Sequence, residues 1–430
     1  MNSHKYSDDY VREKLAGCDI VGLTGMITEF DEVIRLTELI KNTYLPMPII
    51  LGGALATTWT EKILLNSLAD FAVRGEGEIV VANLVKAIKG KTDYSKIKGI
   101  AYKKDGQVII NPPEEPIKNL DFIPFPARHL LDMSRYTTHH FKSFGVNNVN
   151  CKSTTLISSR ACPYSCIFCF KEMWGYKWRG RSAENILKEI VELQKQGYNG
   201  FVFNDDTFVM DKQRILDFCD LIKKYHLKFY RYCNGRVNLM SEEILKAMSE
   251  AGCVGIAYGI ESGNQQILDF IKKQITLEQI ENIVKLTKKY GIHVTGYFML
   301  GMLGETRETM QQTLDFARKL NLNFYGFSIT TPMEGTPLWT MAQEKGLIGN
   351  ALADWSVHAS TNLTNGCSVQ EIEEFNNQAF REFTMVKKYG EHYLFNPKLW
   401  FYGFQSLIFM IGKRDFGGMV KKAWGIISNT

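Results

Sequence analysis

The sequence has no run of about 18 or more apolar residues, the length that a helix needs to cross a bilayer. Its opening residues, MNSHKYSDDYVREK, also lack the apolar core of a secretory signal peptide. Both absences argue against membrane association. We therefore expect a cytoplasmic protein.

An excess of charge of one sign is nearly absent as well. Lys and Arg number 51 against 46 Asp and Glu, which leaves a formal net charge of +5. This excess is too small to create the strong positive field with which nucleic-acid-binding proteins attract phosphates. We expect no nucleic-acid partner.

Cysteine is sparse, with nine residues in 430, yet RACPYSCIFCF at residues 160–170 contains three of them, Cys162, Cys166 and Cys169. In a reducing compartment, clustered cysteines are more often metal ligands or catalytic groups than disulfides. The other six stand singly, mostly among apolar neighbours, and are expected to be small buried side chains. They are Cys18, Cys151, Cys219, Cys233, Cys253 and Cys367.

Residues 1–95 alternate helical and strand patterns. Helical spacing occurs in YVREKLAG and FDEVIRLTELIKNTY, and strand patterns in DIVGLTG, PIILGG and DFAVRGEGE. This alternation predicts a doubly wound parallel sheet. Two strands end in Gly52-Gly53 and Gly75-Glu76-Gly77, at the carboxyl edge where such sheets bind ligands. Glycine there lets the backbone approach a ligand, although the loops of these folds also use glycine for their turns alone.

Residues 96–150 are predicted to form a connector that wraps a surface. The segment begins with a hairpin pattern, GIAYKKDGQVII, in which Asp105-Gly106 is the turn signal. It continues with the proline-rich stretch NPPEEPIKNLDFIPFPARHLL.

Residues 151–337 repeat a strand and a helix six times. The strands are TTLISS, FVFND, KFYRYC, VGIAYG, HVTGYFML and FYGFSIT, and the helices begin after Ser182, Asp211, Ser241, Thr276 and Thr306. Such units form an open sheet or curl into a barrel, and we predict a partial (βα)6 barrel of the TIM type. Residues 338–430 are predicted to be a helical extension, in which LWFYGFQSLIFMIG is a core or interfacial helix.

The cysteine loop follows the first of these strands, so its thiolates are expected at the mouth of the barrel, where the chemistry of such folds is found. Three cysteines complete neither a four-ligand zinc site nor a standard iron–sulfur cubane, and one iron would stay open to another ligand. The alternative is a zinc site that a distant residue completes, for which His139 and His140 are candidates.

The spacing Cys-x3-Cys-x2-Cys, with Phe168 before the last cysteine, resembles the signature of the radical S-adenosylmethionine superfamily. The resemblance implies that Cys162, Cys166 and Cys169 hold a [4Fe-4S] cluster. It also implies that S-adenosylmethionine binds the fourth iron and is cleaved to a 5′-deoxyadenosyl radical.

Polar residues that follow the predicted strands suit the parts of this cofactor. Asp205 or Asp206 can accept hydrogen bonds from its ammonium group, and Arg236 can pair with its carboxylate. Glu261 or Ser262 can hold the ribose hydroxyls, Phe168 can lie near the adenine, and Gly301 ends the fifth strand at the same edge. Ser262 and Asp206 can equally be helix caps with no ligand role.

The resemblance extends to a subgroup that carries a cobalamin-binding domain ahead of the barrel. DIVGLTG, LGGALAT, VRGEGE and LDFIPFPAR precede the cysteine loop in the same order, so that roughly residues 18–337 are covered. The subgroup includes the anaerobic magnesium-protoporphyrin monomethyl ester cyclase and many C-methyltransferases. Carried onto this sequence, its cobalamin site consists of Thr24, Gly52, Gly53, Gly75 and Glu76.

Two features depart from that pattern. The Asp-x-His-x-x-Gly motif that supplies a cobalt ligand is absent, and the first strand of the domain is missing before YVREKLAG. In a sheet of order 2-1-3-4-5 the missing strand would leave a gap in the middle. We therefore expect an incomplete cobalamin-binding-like domain, in which a truncated start, a rearrangement, a partner that completes the sheet or loss of cobalamin binding are all open.

The resemblance implies a small-molecule substrate and an external one-electron reductant of the flavodoxin or ferredoxin type. With cobalamin bound, the expected reaction is methylation of an unactivated carbon. Without cobalamin, the alternatives are cyclisation, dehydrogenation or rearrangement. A further alternative is an iron–sulfur binding or electron-transfer protein that does not cleave S-adenosylmethionine. The aromatic and basic segment KEMWGYKWRGRS covers the active site, meets an anionic substrate or is a solvated loop with anchoring tryptophans; all three are open.

Overall fold

A computed structural model describes residues 7–136, 141, 146, 149, 151–348, 362–364 and 366–385. Contacts within the chain divide it into two compact units, residues 1–376 and 377–430. Two main β-sheets lie in the first unit.

The N-terminal sheet has five strands that are neighbours in chain order. They are β1 (Val21–Thr24), β2 (Ile49–Gly52), β3 (Phe71–Val73), β4 (Ile100–Lys104) and β5 (Gln107–Ile110). The first three strands are parallel, with Leu23 beside Leu51 and Leu51 beside Ala72. The predicted alternation is therefore confirmed for this part of the chain.

Helices cover both faces of this sheet. They are α1 (Asp8–Leu15), α2 (Phe30–Thr43), α3 (Gly53–Thr58), α4 (Thr60–Asn66) and α5 (Gly77–Gly90). Alternate residues of β2 point to opposite faces, so Ile49 and Leu51 pack with α2, α3 and α4, whereas Ile50 packs with α5. The buried side chains of the two faces form two separate apolar clusters.

The expected gap in the middle of the sheet is wrong. β1 bonds directly to β2 and β2 to β3, which is the adjacency of the last three strands in the order 2-1-3-4-5. β1 is instead an edge strand, and within the described part of the chain no strand pairs with its outer side. A strand that completes this sheet would therefore add beside β1.

The hairpin that we assigned to the connector extends this sheet. β4 runs antiparallel to β3 and β5 antiparallel to β4, and Asp105, which has a φ of +49°, lies in the turn between them. Ile100 and Ala101 are fully buried. The hairpin is held here because β3 would otherwise expose an unpaired edge.

The second sheet has six parallel strands. They are β6 (Ser153–Leu156), β9 (Gly200–Phe203), β10 (Tyr230–Gly235), β11 (Cys253–Glu261), β12 (His293–Leu300) and β13 (Phe324–Ile329). Their order is β13-β12-β11-β10-β9-β6, so consecutive strands are neighbours and β6 and β13 lie at the two edges. This is the partial barrel that the six repeats predicted.

Six helices connect these strands on the outside. They are α6 (Ala183–Lys195), α7 (Lys212–Lys224), α8 (Glu242–Glu250), α9 (Gln265–Phe270), α10 (Leu277–Lys289) and α11 (Arg307–Leu320). The predicted caps are confirmed, since the side chains of Ser182, Asp211, Ser241, Thr276 and Thr306 each accept a bond from a backbone N–H of the first turn.

Two further helices lie in the C-terminal part that the structure describes, α12 (Pro337–Glu344) and α13 (Val369–Ala379), followed by a π-helix over Phe380–Met385. The segment LWFYGFQSLIFMIG lies outside the described residues. Of the helices that are described, none combines the length and apolar character needed to cross a membrane.

Candidate functional site

The cysteine loop is closed at its base by a short antiparallel ribbon. β7 (Ser159–Arg160) pairs with β8 (Arg179–Gly180), so the segment between them leaves and returns at the same place. Ala161 has a φ of +69°, a left-handed conformation that turns the chain directly before Cys162. The three thiols are free, with Cys162 and Cys166 buried and Cys169 half-buried.

Polar and cationic groups surround these sulfur atoms. Thr207 Oγ1 lies 3.4 Å from Cys162 Sγ, and an Arg236 terminal nitrogen lies 3.8 Å from Cys166 Sγ. Lys171 Nζ donates to the carbonyl of Cys162 over 3.2 Å. Burial raises the pKa of the Cys169 thiol, and the nearby Lys171 cation opposes that shift. Cations and N–H donors beside sulfur stabilise the thiolate form that binds metal.

The three thiols of the loop are not placed to bind one metal ion together. Thiolates on one tetrahedral zinc ion lie about 3.8 Å apart, given Zn–S bonds of about 2.3 Å. In the described ranges no three Cys, His, Asp or Glu side chains are placed to hold a metal ion together. A [4Fe-4S] cluster binds each thiolate through a different iron and therefore takes thiolates that are farther apart. His139 and His140, the candidates for completing a zinc site, lie outside the described residues.

Asp205 is occupied by the loop that precedes the cysteines. Its carboxylate accepts bonds from the Ser158 N–H at 2.7 Å and from the hydroxyls of Ser158 and Ser159 at 2.6 Å each. The residue is 1% exposed, and burial raises the pKa of its carboxyl group. Asp205 therefore anchors the start of the cysteine loop and presents no surface to a ligand.

Asp206 and Arg236 are placed differently. Asp206 is exposed at the end of β9. Arg236 is buried with its guanidinium stacked 3.6 Å from the Tyr164 ring centroid, and it also donates to the Lys273 carbonyl. Its Nε is fully buried and finds no hydrogen-bond acceptor among the described residues. An arginine with an orphaned donor and a terminal nitrogen near Cys166 Sγ is suited to a carboxylate ligand at the cluster.

Glu261 forms a buried ion pair that the sequence did not suggest. Its Oε1 lies 2.7 Å from Lys273 Nζ, and both side chains are about one-tenth exposed. Lys273 Nζ also lies 5.9 Å from the centroid of Phe168. Glu261 has a φ of +67°, which places this carboxylate in a left-handed turn at the end of β11. The structure thus brings Phe168, Glu261 and Lys273 together.

Ser262 and Gly301 do not present groups to a ligand. Ser262 is 1% exposed, and its hydroxyl lies 3.2 Å from Thr313 Oγ1 and accepts the Asn264 N–H. Gly301 has a φ of +79°, and a side chain there would meet Ile372. Ser262 is not the cap of the next helix either, because Asn264 caps α9 through its side chain. Gly301 is required by the turn.

A cavity of about 930 Å³ lies at the carboxyl edge of the N-terminal sheet. Its lining includes four of the predicted residues, Thr24, Gly52, Gly53 and Gly75. Side chains at Gly52 and Gly75 would meet no atom within 4 Å, so the absence of a Cβ leaves open space there. A broad cavity with a bare backbone floor fits a large planar cofactor such as cobalamin.

Met173 and Trp174 also line this cavity. They belong to the segment that begins directly after Cys169, so the loop that carries the thiols also contacts the cavity. Two residues of KEMWGYKWRGRS therefore contact this cavity, and Tyr176 of the same segment is exposed.

Glu76 does not line the cavity. Its carboxylate lies 2.5 Å from an Arg179 nitrogen and 3.3 Å from an Arg160 nitrogen, and it accepts the Ile117 N–H at 2.8 Å. Arg160 also pairs with Glu78 and lies 4.5 Å from the Trp174 ring centroid. These contacts tie the N-terminal sheet to the base of the cysteine loop.

Sequence reasoning missed Lys273 and Arg160, and it singled out Trp174 and Arg179 only as part of KEMWGYKWRGRS. A signal existed for Arg160, because it stands two residues before Cys162. Lys273 had none, since a lysine next to Lys272 in a polar loop resembles any solvated residue.

Two protein families match the chain. The Radical SAM superfamily matches residues 156–317, and the B12 binding domain matches residues 2–85. An uncharacterized methyltransferase of Pyrococcus horikoshii is 36% identical over 334 residues, which are 77% of this chain and 70% of that protein. The anaerobic magnesium-protoporphyrin IX monomethyl ester cyclase of Rubrivivax gelatinosus is 31% identical over 351 residues, 79% of this chain and 61% of that protein.

Solved structures share the fold. The radical S-adenosylmethionine methyltransferase TsrM from Kitasatospora setae has a TM-score of 0.68 at 18% identity, covering 79% of this chain and 68% of that one. The cobalamin-dependent S-adenosylmethionine radical enzyme OxsB has a TM-score of 0.70 at 18% identity, covering 87% of this chain and 60% of that one.

Proposed function

Because the chain belongs to the radical S-adenosylmethionine superfamily, in the subgroup with a B12 binding domain, we propose that it methylates an unactivated carbon of a small molecule. A [4Fe-4S] cluster held by the three cysteines would supply the electron for reductive cleavage of S-adenosylmethionine, the source of the 5′-deoxyadenosyl radical that would abstract hydrogen from the substrate. Bound cobalamin would supply the methyl group. The cluster is recharged by an external one-electron reductant, for which we propose a flavodoxin or ferredoxin.

One observation carries the proposal. Residues 162–174 hold the three thiols and also supply Met173 and Trp174 to the cavity at the glycine edge, the carboxyl edge of the N-terminal sheet that contains Gly52, Gly53 and Gly75. Methyl transfer to a carbon radical requires the radical-generating site and the methyl donor to reach the same substrate atom. A loop that carries the thiols and also contacts the cavity meets that requirement.

At the cluster, we assign ligand roles to Cys162, Cys166 and Cys169. Arg236 would pair with the carboxylate of S-adenosylmethionine, since one terminal nitrogen lies 3.8 Å from Cys166 Sγ and its Nε has no acceptor among the described residues. The exposed carboxylate of Asp206 would accept its ammonium group.

Phe168 and Glu261 would contact the adenine and the ribose. Lys273 holds the Glu261 carboxylate in place through the 2.7 Å ion pair. We assign Asp205, Ser262 and Glu76 to positioning roles, because their polar atoms are engaged by Ser158, Thr313 and Arg179 respectively.

The experiment that tests this proposal is reductive cleavage. The protein is reconstituted anaerobically with iron and sulfide, reduced, and supplied with S-adenosylmethionine, and 5′-deoxyadenosine is measured by chromatography. We expect its formation. A reconstituted protein that binds a cluster but forms none would contradict the radical proposal and leave an iron–sulfur electron-transfer protein.

Cobalamin is tested separately. After incubation with hydroxocobalamin and desalting, we expect the visible corrinoid bands to stay with the protein at about one equivalent. The alternative is a cobalamin-free cyclisation, dehydrogenation or rearrangement. Formation of 5′-deoxyadenosine without retained corrinoid would support that alternative.

A further inference from the structure

The six-stranded sheet is open on the side of β6. β6 and β13 are its two edges, and within the described residues they do not pair with each other. Connector residues 120–136 cover the β6 edge without forming a strand on it. Arg128 donates from one terminal nitrogen to the Thr155 carbonyl over 3.1 Å, so a side chain takes the place that a neighbouring strand would occupy.

The connector and β6 enclose a cavity of about 720 Å³. Its walls are largely apolar and include Phe125, Leu131 and Ile157. Leu131 and Ile157 are 52% and 50% exposed, so their apolar surface faces the cavity or solvent and is not buried against protein. The volume lies within the range of about 300–1,000 Å³ that is typical of small-molecule sites.

The charged groups of this cavity do not cancel. Glu189 is 2% exposed and accepts a bond from Arg128 at 2.7 Å through one oxygen and from Arg181 at 2.5 Å through the other. Two guanidinium groups therefore share one carboxylate, which leaves one positive charge. Because a buried charge is stabilised by an opposite charge beside it, the excess positive charge of this wall favours the binding of one anion.

Arg128 is the group that can reach that anion. Its contacts with described residues are those to Glu189 and to the Thr155 carbonyl. A guanidinium has five N–H donors, so three are left for a ligand. Arg181 is more fully used, since it also donates to the Ile157 carbonyl and to Asn185, and it lies 5.2 Å from the Phe125 ring centroid.

The cavity lies next to both cofactor sites. Ile157 and Asn204 directly follow β6 and β9, at the mouth of the barrel. Glu78 lines this cavity and also the glycine-lined one, and its ion pair with Arg160, two residues before Cys162, stands between them.

We propose that this cavity binds the substrate, and that the substrate is a mainly apolar small molecule with a single anionic group held by Arg128. The assignment rests on the proposed function only in calling the ligand the substrate. The binding chemistry itself, an apolar wall on which two guanidinium groups share one carboxylate, is independent of the reaction.

The test uses two probes of equal shape, 2-naphthoate and its neutral amide, 2-naphthamide. Their binding to the full chain with its reconstituted cluster is measured by equilibrium dialysis. We expect saturable 1:1 binding, with naphthoate the tighter ligand. Arg128→Gln should weaken naphthoate by about tenfold and leave the amide unchanged, since one charge-assisted bond pair is lost while the Arg181–Glu189 pair remains.

A matched pair of variants locates the site. Leu131→Asp should weaken both probes, whereas Leu130→Asp should weaken neither, because Leu130 is 75% exposed and does not line the cavity. Equal affinity of the two probes, equal effects of both leucine variants, or no saturable binding would each overturn the proposal.

The same preparation is assayed for 5′-deoxyadenosine without probe. Cleavage with no probe binding refutes the cavity assignment alone, and probe binding with no cleavage supports the cavity while refuting the proposed function.

Discussion

At the carboxyl edge of the N-terminal sheet, glycines leave part of the ligand-facing surface as bare backbone, whereas at the mouth of the six-stranded sheet that surface is sulfur and charged side chains. Gly52, Gly53 and Gly75 leave the first edge bare. At the second, Arg236, Glu261 and Lys273 lie close together around the cysteine loop. Loss of a thiol or a charged side chain at the mouth should therefore reduce activity or stability more than addition of a methyl group at the glycines of the N-terminal sheet.

The largest effect is expected from Cys166→Ala. Loss of one of three thiolates should abolish the cluster and reduce 5′-deoxyadenosine to background, because nothing else in the loop replaces the ligand. Iron content and the visible spectrum after reconstitution measure the cluster. Cys151→Ala is the matched control, since Cys151 precedes β6 and lies outside the loop; it should retain iron and activity, and a parallel loss in both variants would contradict the ligand role.

Lys273→Met tests how much the buried ion pair at the mouth contributes to the free energy of unfolding. The variant leaves the Glu261 carboxylate buried without its cation, and the free energy of unfolding should fall by about 3–5 kcal/mol. Urea unfolding under anaerobic conditions measures it. Lys273→Met with Glu261→Leu should recover most of the loss. A single variant as stable as wild type would mean that Lys273 does not compensate Glu261.

Glu305, at the same mouth, should make the free energy of unfolding depend on pH. Burial raises the pKa of its carboxyl from 4.5 to about 7, although the Met302 N–H bonds to it at 2.8 Å. Between these pH values the unfolded chain ionises Glu305 and the folded chain does not. Relative to Glu305→Gln, wild type should therefore lose about 3 kcal/mol as the pH rises from 4.5 to 7. Parallel stability curves for the two proteins would contradict this.

The smallest effects are expected at the glycine edge. Gly53 has a φ of +81°, and a Cβ would lie 2.4 Å from Thr24 Oγ1, so Gly53→Ala should lower the unfolding free energy by about 1–2 kcal/mol. Gly52→Ala meets nothing within 4 Å and should leave stability unchanged while weakening corrinoid retention. If Gly52→Ala retains as much corrinoid as wild type, cobalamin does not bind in this cavity.

The same contrast explains what could be predicted from sequence. Strands, helix caps and glycine edges depend on local pattern, so the six repeats, Ser182 and Thr276 as caps, and the glycine lining were predictable. The pairing of Lys273 with Glu261 and of Glu76 with Arg179 depends on which turns bring distant residues together, and no local pattern encodes it. Asp205 and Ser262 were placed on the correct strand ends, but orientation at a strand end is decided by packing.

Electron paramagnetic resonance can show whether the loop that carries the cluster also lies beside bound cobalamin. The relaxation rate of protein-bound cob(II)alamin is measured with the cluster reduced and again in Cys166→Ala. We expect markedly faster relaxation in wild type, because a nearby paramagnetic cluster relaxes the cobalt spin. Equal relaxation rates in the two proteins, each with corrinoid bound, would contradict it.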